Sequence, residues 1–102
     1  MKVKNKTRLL KELAKESKTP KEFIEYVMAL QNQTPEDVVK DIDMTIAHFY
    51  VVMCAMSHGA NIGVKVCVKI SKGLDIDPVI LNKLVADYNL EKYLKKQEHG
   101  TL

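Results

Sequence analysis

Residues 64–72 read VKVCVKISK, and this stretch decides the fold. By period two, Val64, Val66, Val68 and Ile70 alternate with Lys65, Cys67, Lys69 and Ser71. β-branched residues on alternate positions are the pattern of a strand. By its borders the same stretch is a helix: Asn61 suits an N-cap and Gly73 a C-terminal stop, which predicts a helix over 62–72. A strand needs a partner. Only MKVK at the N-terminus, or the same segment of a second subunit, offers one. We take the helical reading, which makes the chain all-α, and retain a short strand over 64–72 as its alternative.

Everything around this stretch reads as helix. Residues 18–27, KTPKEFIEYV, and 33–42, QTPEDVVKDI, carry the same punctuation. Thr19 and Thr34 suit N-caps, because a hydroxyl there accepts from a first-turn N–H. Pro20 and Pro35 fall at the first helical position, where a missing donor costs nothing. Glu22 and Asp37 stand three after each Thr, as in a capping box, and suit the positive end of the helix dipole. Asp77-Pro78 repeats the signal. Leu9, Leu10, Leu13 and Ala14 form one face of a helix over 6–17, and Phe23, Ile24, Val27 and Met28 one face of a helix over 20–31. The helix opened by Thr34 is expected to run from about 35 to 58 and to be central. From Met44 onward nearly every face of it is apolar, and a helix apolar all round is surrounded by protein. Gly59 is its expected stop. A helix from Pro78 carries Val79, Ile80, Leu81, Leu84, Val85 and Tyr88. A last short helix carries Leu90, Tyr93 and Leu94 before a polar tail, 95–102.

The expected architecture is thus one domain, 1–102, a compact bundle of five or six helices around helix 35–58. A basic N-terminal arm occupies 1–8. A chain of 102 residues buries a small core, and dimerisation is a natural way to bury more. Residues 44–64 hold no Asp, Glu, Lys or Arg, but the unbroken apolar part, MTIAHFYVVMCAM, is too short for a span and fits a buried helix better. Two cysteines, Cys54 and Cys67, make no disulfide framework, and the charged N-terminus lacks the apolar core of a signal peptide. The expectation is a cytoplasmic protein with free thiols and no membrane association.

Charge is uneven. Residues 1–22 hold eight Lys or Arg against three Glu, whereas 23–64 hold one Lys against five acids. Lys2, Lys4, Lys6 and Arg8 are the expected contacts to a partner protein or to nucleic acid. Residues 7–42 read as a helix-turn-helix, with TPKE opening one helix and TPED the next, and within TRLLKELAKESKTPKEFIEYV Ala14, Ile24 and Val27 are spaced as the two packed helices of such a unit are. Over about a third of the chain this resembles the phage-repressor class. The resemblance implies a DNA-binding regulator. It departs where Lys18 stands in place of the usual turn glycine, and PKEFIE and PEDVVKD would turn carboxylates toward phosphates. Arg8 is the lone arginine, although Arg is the commonest base reader. The pairs Glu22/Glu25 and Asp37/Asp41 each share a helix face. They resemble, more distantly, the Mg²⁺-holding acids of helical nucleotide pyrophosphohydrolases.

Cys54 and His58 share a face, and Cys67 offers a third ligand, but zinc wants four and His99 lies in the tail. No phosphate loop or nucleophile elbow is present, and no catalytic, cofactor or metal residue is assigned. Met28, Met44, Met53 and Met56 are adaptable side chains that suit either a core or a binding surface. Phe49, Val52, Met53, Met56, Val64, Val66, Val68 and Ile70 are the expected subunit interface, because so apolar a stretch is hard to bury in one small chain. The reading is a small non-enzymatic regulatory or adaptor protein, a homodimer that binds another macromolecule. Small size and high lysine content also suit a viral or mobile-element protein.

Overall fold

The computed structural model describes residues 3–60 and 62–100, with side chains over 6–60 and 62–97. The described residues form six helices: α1 (Val3–Glu16), α2 (Pro20–Leu30), α3 (Pro35–Val39), α4 (Ile46–Ser57), α5 (Val64–Leu74) and α6 (Pro78–Gly100). No strand occurs among them. Each helix packs on two neighbours in the cyclic order α1, α2, α4, α3, α5, α6, and α2 also meets α6. Phe23, Ile24 and Val27 are fully buried, so α2 supplies the middle of the core.

The ambiguous stretch is α5, a helix. Its buried side is Cys67, Ile70, Ser71 and Leu74, spaced three, one and three residues apart as one face of a helix requires. The N-cap is Gly63, with no side-chain bond; Asn61, expected to cap, lies outside the described residues. Gly73 does not stop the helix but lies within it. The end comes at Asp75, in the left-handed conformation at φ 57°. Asp75 N–H donates to Lys72 O, and Ile76 N–H to Ser71 O at 3.0 Å, the paired closure of a Schellman motif. Asn32 closes α2 and Gly59 closes α4 in the same manner, at φ 55° and 76°.

Both Thr-Pro starts are present. Thr19 Oγ1 accepts from Glu22 N–H at 3.1 Å. Thr34 Oγ1 accepts from Asp37 N–H at 3.2 Å, and the Asp37 carboxylate accepts from Thr34 N–H at 2.8 Å. At the third start, Asp77 Oδ1 accepts from Val79 N–H at 2.9 Å.

Two expectations are corrected. The single helix over 35–58 is two helices, α3 and α4, joined by turns over 40–45. Thr45 is an N-cap in its own right, its hydroxyl accepting from His48 N–H at 3.0 Å. Asp41 and Asp43 precede it, and Asp is a poor interior helix residue. Folding back lets Val38 and Ile42 join the core beside Phe49 and Met53. Conversely, the two expected C-terminal helices are one. No Gly or Pro interrupts 79–99, and Lys83–Asp87 (2.7 Å) and Lys95–Glu91 (3.1 Å) span successive turns. The expected polar tail is therefore helical through Gly100.

Gly73 decides how closely α3 approaches α5. A methyl group there would overlap the Val38 carbonyl oxygen. Helix propensity alone makes Gly→Ala stabilising by roughly 1 kcal/mol. Gly73→Ala is expected to reverse that sign and cost about 2 kcal/mol in urea unfolding. Gly63→Ala, where a methyl meets open space, is the tolerated control. Ser71 carries the opposite expectation. Its buried Oγ has no hydrogen-bond partner among the described residues. Ser71→Ala removes an unsatisfied group and should raise stability by about 1 kcal/mol in the same assay.

Candidate functional site

The apolar helix α4 has two unlike sides. Phe49, Val52, Met53 and Met56 recur at three, one and three residues and are buried in the chain's own core. Ala47, Tyr50, Val51 and Cys54 recur at the same intervals on the other side and are exposed. Tyr50 is 57% exposed and Val51 65%, values that put most of each side chain in water. No Asp, Glu, Lys or Arg interrupts this outward face. The four α4 residues expected at a subunit interface thus fill the chain's own core. Ile70 is likewise core, Val66 is half-buried, and Val64 and Val68 are exposed on α5. Beside Val68 stand the exposed Lys65, Lys69 and Lys72, with Lys69 paired to Asp43 at 3.8 Å. The methionines are structural: Met53 and Met56 are core, and Met28 and Met44 pack against it.

The expected basic contacts fall in different places. Lys2 lies outside the described residues, and Lys4 is placed on α1 by its backbone. Lys6 is engaged within the chain: its Nζ donates to the Asp75 carbonyl and sits 3.3 Å from the Asp75 carboxylate. Arg8 is exposed beside Glu12 at 3.9 Å. The segment is no separate arm from residue 3 onward, since α1 begins at Val3.

Two of the four acids of the metal reading, Glu22 and Asp37, are held by local hydrogen bonds. Glu22 accepts from the Tyr26 hydroxyl at 2.9 Å, a bond that raises the phenol above its ordinary value. Asp37 is bonded first by the Thr34 N–H and then by its hydroxyl, which holds the carboxyl below its ordinary value. Among the described residues no three His, Cys, Asp or Glu side chains converge as a metal set. Cys54 is exposed whereas Cys67 is buried, and burial pushes the Cys67 thiol up. In the helix-turn-helix reading, α2 and α3 would face DNA. The exposed positions of α2 are Glu25, Tyr26, Ala29 and Leu30, with the cation of Lys21 half-buried in its first turn, and α3 exposes Glu36 and Asp37, which repel phosphates. No described helix is long and apolar enough to cross a membrane.

Comparison with protein-family models, characterised proteins and solved structures finds no match for this chain.

A capping role for Asp37 has a pH signature. A carboxyl whose folded value is lowered contributes stability above its ordinary value and loses it as pH falls through the folded one. The stability gap between the native chain and Asp37→Ala should therefore be steady near neutrality and close below pH 3.8. Urea midpoints across that range measure it; a gap independent of pH would deny the cap.

Proposed function

We propose that this chain is a non-enzymatic regulatory or adaptor protein that works by binding another macromolecule, as a homodimer joined through the outward face of α4. The observation that carries this reading is the uncharged exposed side of that helix, centred on Tyr50 and Val51. Soluble surfaces rarely devote a whole helix face to apolar groups without covering it. A two-fold axis brings like residues against like, so charges near it repel their own kind. From Met44 to Val64 there are none to repel. A charged partner, by contrast, finds nothing on this face to select it.

The rest of the chain is consistent with binding rather than catalysis. Asp37 and Asp77 act as caps at helix starts, and Gln31 closes the end of α5. Both thiols are free, the exposed Cys54 included, which suits the reducing cytoplasm proposed as its compartment.

Sedimentation equilibrium over the micromolar range is expected to show a reversible dimer. Val51→Lys places two like charges across the axis and should weaken it about a hundredfold or more while leaving the helical circular dichroism intact. Cys54 gives a second readout, because it lies within the face. Its alkylation rate should fall as protein concentration rises and stay constant in Val51→Lys. A native chain that remains monomeric, with Cys54 reacting at one rate throughout, sinks the proposal.

A further inference from the structure

The outward side of α4 carries two metal-ligating side chains that the core does not use. Ala47, Val51, Cys54 and His58 follow one another at four, three and four residues, so they form a single seam along the helix. All four are exposed. Cys54 and His58 lie one turn apart, about 6 Å along the axis. Two ligands at that interval on one helix face hold the same zinc ion in the H-E-x-x-H motif. The helix end that carries them is fixed in place. Ser57 Oγ donates to Cys54 O at 2.7 Å, Ala60 N–H donates to Ala55 O at 3.0 Å, and the Tyr88 hydroxyl of α6 donates to Ser57 O at 3.2 Å. These bonds are made by backbone, Ser57 and Tyr88; none uses the Cys54 thiol or the His58 imidazole.

One chain stops at two ligands, and zinc takes four. No third His, Cys, Asp or Glu joins the pair among the described residues. A second copy supplies what is missing, and in this the inference rests on the α4 dimer proposed above. When the two-fold axis runs along α4, each residue of the seam meets its own counterpart. The seam then matches a parallel helix pair, with Ala47, Val51, Cys54 and His58 at d, a, d and a. Packed helices stand about 8–10 Å apart. An ion midway between them, level with the last turn, lies within reach of side chains from both.

We propose that Cys54 and His58 of two chains form a Cys₂His₂ zinc site on the dimer axis. The donors and their surroundings together select the ion. Two thiolates and two imidazoles are the donor set of tetrahedral structural zinc. Each thiol gives up its proton to solvent on binding, and the two thiolate charges cancel the dication. The closed site therefore brings no net charge into a seam that has none of its own. Both ligands sit in the last turn and cap of α4. A parallel pair brings two C-terminal helix poles together at that level, and their partial negative charge favours a cation. The ion in turn offsets the repulsion between the poles.

The test uses the full chain, reduced with a phosphine and stripped of metal by a chelator that is then removed. Co²⁺ is the probe, because its visible spectrum reports tetrahedral geometry and thiolate coordination. Titration is expected to saturate at one ion per two chains, with the intense bands of tetrahedral cobalt and a thiolate charge-transfer band. Zn²⁺ should displace the cobalt and lower the dimer dissociation constant at least about tenfold in sedimentation equilibrium. Cys54→Ser and His58→Ala should each abolish that spectrum, whereas His48→Ala, on the flank of the same helix, keeps it. All three positions are exposed, and circular dichroism checks that the helices persist. Saturation at one ion per chain, a spectrum without the tetrahedral or thiolate bands, or one that survives His58→Ala overturns the proposal. A metal-free dimer whose dissociation constant ignores Zn²⁺ overturns the site and leaves the α4 dimer standing. A chain monomeric with and without Zn²⁺ overturns both.

Discussion

The C-terminal end of α5 is the constraint on which the rest of the molecule hangs. A helix leaves its last carbonyls without partners, and burying that end demands donors from elsewhere. Here three consecutive carbonyls are met by three side chains from other parts of the chain. Gln33 Nε2 reaches Gly73 O at 3.1 Å, Gln31 Nε2 reaches Leu74 O at 2.7 Å, and Lys6 Nζ reaches Asp75 O. One helix end thus gathers α1, the α2–α3 loop and, through the bare backbone of Gly73, the carbonyl of Val38 in α3. Its left-handed closure at Asp75 then turns the chain through Ile76, a core residue, into the Asp77 cap and α6. The cation of Lys6 stands at the negative pole of the α5 dipole, where it is favoured.

This arrangement also explains why VKVCVKISK misleads. Its valines advertise a strand, yet the residues that face the core are Cys67, Ile70, Ser71 and Leu74. Two of those four are small and one carries a hydroxyl, so the helical stripe is faint by hydrophobicity alone. Val64 and Val68, the loudest part of the pattern, point to solvent. The helix starts were legible because capping is local chemistry. Thr19, Thr34 and Asp77 act on donors within three residues, and no tertiary context is needed to see them. The break before Thr45 was hidden by the opposite circumstance. Its capping threonine sits inside an apolar run whose hydrophobicity masks the change of direction.

Legibility of the surfaces follows the same division. An all-apolar helix has no polar stripe to mark its outside, so Phe49, Val52, Met53 and Met56 differ from the set Ala47, Tyr50, Val51 and Cys54 on sequence grounds only by somewhat larger side chains. Packing against α2 and α3 distinguishes them outright.

The unbroken run of α6 shapes the molecule as well as its surface. From Leu90 to Gln97 every residue of that helix is exposed, so its last turns extend beyond the packed helices. The extents are 48 × 30 × 20 Å, more than twice as long as thick, and the radius of gyration is 14.0 Å. A compact chain of this length has a radius nearer 13 Å. Such a body meets more friction than a sphere of equal mass. On a gel-filtration column a single 11.6 kDa chain therefore emerges ahead of its true mass, in the direction of a dimer. Frictional shape and assembly separate only in measurements of buoyant mass, to which the outline of the molecule makes no difference.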